Sequence, residues 1–178
     1  MSKVAVKGNA SGTGTFTIEA PNSNNNRTLT LPDAAGTIAL QGGAGVGKVL
    51  QVVSQRYTAN NSTTSTSFVA TNITASITPT STSSSILILV SANGWVSPST
   101  NYVYATIGRN ASVLGGSSGL TGLYGNDGTA NLSFSYFDSP STTASTVYTV
   151  YFRVTGGTGR ITEATNGTST ITLMEIAA

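Results

Sequence analysis

The chain has 178 residues; Ser, Thr, Asn and Gly make up about half of them, 8 % are charged, and the formal net charge is +2. It contains no His and no Cys, which excludes imidazole general bases, Ser-His-Asp and Cys-His nucleophile systems, His- or thiolate-ligated zinc, and any disulfide framework. Lys and Arg number 8 against 6 Asp and Glu, too few to create a positive field for nucleic acid despite a pI near 9.0.

Residues 1–40 carry three period-two signals. Phe16 and Ile18 alternate with Thr15, Thr17 and Glu19; Leu29 and Leu31 alternate with Thr28 and Thr30; Ile38 and Leu40 alternate with Thr37 and Ala39. Turn residues Pro21–Asn26 and Pro32–Gly36 separate them. So few apolar side chains cannot build a self-sufficient core, so this unit is expected to pack on copies of itself or on a larger structure. Residues 41–47, Gln-Gly-Gly-Ala-Gly-Val-Gly, read as a hinge. Gly47-Lys48 imitates a P-loop, but Val49 stands where a metal-binding hydroxyl would be, and no helix is expected to follow.

Residues 48–178 form the main domain. Strands are predicted at 48–55, 67–72, 73–78, 85–92, 102–107, 112–114, 131–138, 146–155 and 170–176, separated by turn chemistry that includes Asn93-Gly94, Asn126-Asp127-Gly128 and Gly156-Gly157. Short strands at this spacing predict an all-β fold, a jelly-roll-like antiparallel β-sandwich preceded by the small β-rich N-terminal segment. Tyr148, Val150, Phe152 and Val154 share one face and read as core, whereas Val147, Thr149, Tyr151 and Arg153 form a mixed opposite face. Leu132, Phe134 and Tyr136 oppose Ser133, Ser135 and Phe137; Val103, Ala105 and Ile107 oppose Tyr102 and Tyr104. Ile86–Val90 is apolar on both faces, as in a strand covered twice. Aromatics on outer faces predict a subunit interface.

These blocks argue against disorder, which pairs low hydrophobicity with high net charge. Met1-Ser2-Lys3 precedes no apolar run, and Ile86–Val90 is too short to cross a bilayer. Neither a signal peptide nor membrane insertion is therefore expected, and assembly would occur in the cytoplasm.

The run Gly14-Thr15-Phe16-Thr17-Ile18-Glu19-Ala20-Pro21, with Asn26-Arg27-Thr28-Leu29-Thr30-Leu31-Pro32-Asp33-Ala34-Ala35-Gly36-Thr37-Ile38, resembles a segment that recurs in tail-fibre and related structural proteins of tailed bacteriophages. Gly47-Lys48-Val49-Leu50-Gln51-Val52-Val53, with Ile77-Thr78-Pro79 and Ser85–Val90, resembles the domain that often follows it. The resemblance implies a homotrimeric virion appendage on the particle surface, with other virion proteins of capsid, tail or baseplate as partners. Its C-terminal domain would be a jelly roll akin to the tumour-necrosis-factor-like trimers. Phe16, Ile18, Leu29, Leu31, Ile38 and Leu40 would lie on the virion-attachment side. One copy of the N-terminal segment and no extended shaft leave a short fibre, a head fibre or a capsid-decorating trimer open.

Six carboxylates are available for glycan hydrolysis: Glu19, Asp33, Asp127, Asp138, Glu163 and Glu175. Such chemistry needs two of them flanking one glycosidic bond, and nothing in the spacing pairs them, so the expectation is a protein without catalytic residues. Asn126, Asp127 and Asp138 offer oxygen ligands but no calcium-loop pattern; no metal or cofactor is expected. Trp95, Tyr102, Tyr104 and Tyr124, beside Asn126 and Asp127, could hold a host-surface glycan, ring against ring with polar groups at the rim. The competing reading makes Trp95 a plug at one end of the sandwich core and the tyrosines an interface between subunits.

Overall fold

The structure, a computed structural model, describes residues 11–15, 17, 22–26, 28, 47–125, 129–162 and 167–178. Among them there is no helix. The strands are β1 (Val49–Tyr57), β2 (Asn61–Thr63), β3 (Val69–Ile77), β4 (Ser85–Ser91), β5 (Asn93–Ser97), β6 (Tyr102–Arg109) and β7 (Ser112–Val113), then β8 (Thr121–Tyr124), β9 (Ala130–Asn131), β10 (Phe134–Asp138), β11 (Thr146–Val154), β12 (Thr158–Ile161) and β13 (Ser169–Ile176). They form three antiparallel sheets, ordered β1-β13-β4-β10, β3-β11-β6-β7 with β8 also on β6, and β2-β12-β5-β9. The all-β antiparallel sandwich expected from the sequence is the architecture observed.

Period-two alternation builds the core. On β11 the side chains of Tyr148, Val150, Phe152 and Val154 point inward and are buried, as are Val103, Ala105 and Ile107 on β6. They meet Ile86, Ile88 and Val90 of β4 and Ile171 and Leu173 of β13 in one cluster, to which Val96 of β5 and Ile161 of β12 also belong. Burial of each large aliphatic or aromatic side chain contributes about 1.5–3 kcal/mol.

Several boundaries differ from those expected. Residues 67–72 and 73–78 were expected as two strands but form the single β3, with a bulge opposite Val150. There Thr71 Oγ1 donates to the Val150 carbonyl (2.8 Å) and accepts from the Ile73 N–H (3.0 Å), so a side chain replaces a rung of the ladder. Asn93-Gly94 is not a turn but the start of β5. Gly94 is a packing glycine: a Cβ there would lie 3.3 Å from Leu132 Cδ2. Asn131–Asp138 is not one strand. β9 belongs to the β5 sheet and β10 to the β4 sheet, and buried Leu132 lies between them. β2, β8 and β12 are short and rich in Ser, Thr or Gly, and were not expected.

The chain divides into two units, Met1–Ala39 and Leu40–Ala178. Within the first, the described residues are exposed. Phe16, Ile18, Leu29, Leu31, Ile38 and Leu40, with Glu19 and Asp33, lie outside the described residues, as do 41–46 of the expected hinge. Lys48 leads directly into β1 rather than a helix, as the failed P-loop pattern implied.

One inward position on β13 is an acid. Glu175 is fully buried opposite Gln51. Its carboxylate accepts from Gln51 Nε2 (2.6 Å), the Thr80 N–H (2.7 Å) and Thr80 Oγ1 (2.7 Å). Burial pushes its pKa up, but these donors outweigh burial and hold it at about 2, below the ordinary 4.5. A depressed folded-state pKa stabilises the fold fully above about pH 4.5, and that contribution is lost as the pH falls toward about 2. Denaturant titrations across this window should therefore show wild-type stability falling more steeply with acid than that of Glu175→Gln. Parallel slopes would contradict the assignment.

Candidate functional site

Register places three of the predicted aromatics together. On β6 the side chains of Tyr102 and Tyr104 point away from the core, because Val103 and Ala105 point into it. β8 and β11 flank β6, pairing Tyr124 with Tyr102, and Gly122 and Arg153 with Tyr104. The Tyr102 and Tyr104 rings are parallel within 3° at 5.4 Å, and the Tyr124 ring tilts at 49° to Tyr102, 4.5 Å away.

Tyr104 is held from two sides. The Arg153 guanidinium lies 4.6 Å from its ring centre and 5.5 Å from that of Phe68. Arg153 is itself fixed by Nε and Nη2, which donate to the Ser117 carbonyl at 3.0 and 2.6 Å. On the other side the ring lies against Gly122, where a Cβ would come within 2.8 Å of Tyr104 Cδ1. Tyr102 and Tyr124 stay open, at 38 % and 54 % exposure.

Trp95 is not part of this cluster. It sits on β5, half-buried, opposite Arg160 of β12, whose guanidinium lies 4.8 Å from the ring centre. Gly94 and Val96 take the inward positions of β5, so Trp95 points outward and does not close the core. Asn126 and Asp127 lie outside the described residues.

The opposite side of the sandwich carries a second surface. Val52, Met174, Leu87 and Phe137 stand side by side in register across all four strands of the β1-β13-β4-β10 sheet. Leu89 follows in the next row and Ile176, beside Val49, in the preceding one. Val52 and Phe137 are 54 % and 58 % exposed. The two-sided apolar character of Ile86–Val90 thus resolves into a buried face of Ile86, Ile88 and Val90 and an open one of Leu87 and Leu89. At standard strand spacing the Val52–Met174–Leu87–Phe137 row runs roughly 15–20 Å across the sheet; Leu89 is in register with Ser54-paired Thr172 and with Ser135, and Ile176 with Ser85, so hydroxyl side chains border the row on both sides. Exposed apolar surface rimmed by polar residues is a feature of interaction sites.

Two carboxylates are described beyond the N-terminal unit, and both are tied inward. Glu175 has the donors given above. Asp138, at the end of β10, accepts both its contacts from Arg109 through Nη1 (3.0 and 2.9 Å), and Tyr148 Oη donates to it at 2.6 Å. Burial pushes the Tyr148 phenol well above its ordinary range, and the hydrogen bond to Asp138 and the charge of that carboxylate add to the shift. Glu163 lies outside the described residues.

Arg153, Phe68 and Gly122 were not singled out as site residues. Alternation along β11 puts Arg153 on the outer face, but only the pairing of β11 with β6 sets it beside Tyr104. No protein-family model matches the chain, and no curated protein matches it.

Proposed function

We propose that this chain is a non-enzymatic structural protein of a tailed-bacteriophage virion, a homotrimeric short fibre on the particle surface. Its N-terminal segment anchors it, and the β-sandwich projects outward for decoration or host-surface contact. The observation that carries the assembly is the apolar band Val52–Met174–Leu87–Phe137 with Leu89, which a monomer would leave in water. Apolar side chains without hydrogen-bonding groups suit contact with copies of the same chain.

The virion assignment rests on the resemblance of residues 14–38 and 47–90 to phage appendage proteins. The non-enzymatic reading is supported by Asp138 and Glu175, whose oxygens are occupied by internal donors. Labelling an accessible site on the sandwich and imaging the intact particle tests the placement. Label at the tail or baseplate is the expected result, label over the capsid lattice would make the protein a head-decorating trimer, and no label on the particle would reject a virion role.

A further inference from the structure

The apolar row ends on two open edges. β1 and β10 are the end strands of their sheet, and among the described residues neither pairs with a strand on its outer side. Such edges are templates for pairing with another chain. β1, β13, β4 and β10 alternate in direction, so β10 runs opposite to β1. We infer that copies of the chain join edge to edge around a three-fold axis that runs along these strands, with β10 of one copy beside β1 of the next.

Direction and level both fit. Rotation about such an axis keeps the direction of each strand and the height of each residue. The contact of β10 with β1 is therefore antiparallel, the commoner pairing. Rows in register within one copy continue into the next. Phe137 comes level with Val52 of the neighbouring copy, and Ser135, in the row of Leu89 and Thr172, comes level with its Ser54. The two exposed ends of the apolar row cover each other, and the row closes into a belt.

The width of the sheet selects three copies over four. With strands about 4.8 Å apart, four of them and the gap to the next copy make a side of roughly 19 Å. The centre of a triangle with that side lies roughly 5–6 Å from each sheet, about half the spacing of packed sheets. One layer of side chains from each copy fills it, with Met174 and Leu87 of the two middle strands nearest the axis. A square of the same side has its centre roughly 9–10 Å from each sheet and would leave a void.

Charge is compatible with a self-contact. Identical copies bring identical charges together, which opposes association. The outward positions of the apolar row and of the rows on either side carry none. Arg56 lies beyond them, where its Nη2 donates to Thr168 Oγ1 at 3.2 Å.

The arrangement rests on the assembly proposed above and is tested apart from it. The full chain, which has no cysteine of its own, is prepared as the double variant Ser54→Cys/Ser135→Cys. Both serines are exposed and cysteine is close to serine in size, so the core and the apolar row stay as they are. Opposed residues of antiparallel strands lie about 4.5–5.5 Å apart at Cα, within reach of a disulfide. Oxidation should convert the double variant into a closed species of three chains on non-reducing electrophoresis, reversed by thiol. Neither single variant should cross-link. Mass in solution is measured in parallel on the unoxidised protein. A trimer whose double variant does not cross-link overturns the arrangement and leaves the assembly standing. Cross-linking that stops at two chains means a face-to-face pair, a ladder beyond three means an open stack, and cross-linking of a single variant brings identical positions together. Each of these overturns the inference. A single-chain mass overturns the assembly and the arrangement together.

Discussion

Phe137→Lys should convert the proposed assembly to single chains without unfolding them. Phe137 is 58 % exposed in the isolated chain, so a lysine there meets water and the sandwich core is untouched. Within the proposed assembly the same position lies in the apolar band, in register with Leu87. Losing the buried ring costs about 2 kcal/mol at each contact, and an ammonium left without a partner in an apolar interface adds to that. The change recurs in every copy, so association should weaken by on the order of ten-thousandfold or more. Val52→Lys, at the other edge of the row, should behave alike. Val147→Lys is the control: Val147 is 39 % exposed on β11, on the opposite sheet, and its substitution should leave the mass unchanged. Mass in solution, with far-UV circular dichroism to confirm the fold, reads all three variants. An assembly indifferent to Phe137→Lys and Val52→Lys would place the contact elsewhere.

Asp138→Ala should cost the fold about 3 kcal/mol. The carboxylate is nearly buried, with side-chain exposure of 8 %, and receives Arg109 and the buried Tyr148 hydroxyl together. Its removal leaves a phenol donor in the core with no acceptor and a guanidinium with no counter-charge. Breaking such a buried pair from one side costs about 3–5 kcal/mol. The lower end applies because Arg109 retains 33 % exposure and water can reach it. Tyr148→Phe removes only the donor and keeps the ring, so it should cost about 1 kcal/mol. Denaturant unfolding of both variants decides it. Equal losses would mean that the Tyr148–Asp138 hydrogen bond carries the whole cost and that the Arg109 pair adds nothing to stability.

The sequence made the core legible wherever alternation was strict. Tyr148 to Val154 and Val103 to Ile107 each repeat with period two, and their inward residues are those buried in the structure. It misled where glycine had a second use. Gly94 resembles a turn residue beside Asn93, yet it lies in β5 because Leu132 leaves no room for a Cβ. β2, β8 and β12 were hidden for a related reason: Ser, Thr and Gly in three- and four-residue strands carry no apolar alternation. The candidate site divided in the same way. The outward tyrosines of β6 could be read from alternation, whereas Tyr124, Gly122 and Arg153 join them only through register between strands distant in sequence. The aliphatic band was half visible. Phe137 reads as an outer-face aromatic and Leu87 and Leu89 as part of a strand apolar on both faces, but Val52 and Met174 become their neighbours only once β1 pairs with β13 and β13 with β4.

The composition, half Ser, Thr, Asn and Gly with almost no charge, supplies a hydrated exterior around two distinct patches. The assembly rests on covering the apolar one with copies of the same chain, and the mass of this 178-residue chain in solution tests it most directly. Sedimentation equilibrium should give three times the 18.0 kDa chain mass, stable to dilution through the micromolar range. A single-chain mass at the highest attainable concentration would contradict it.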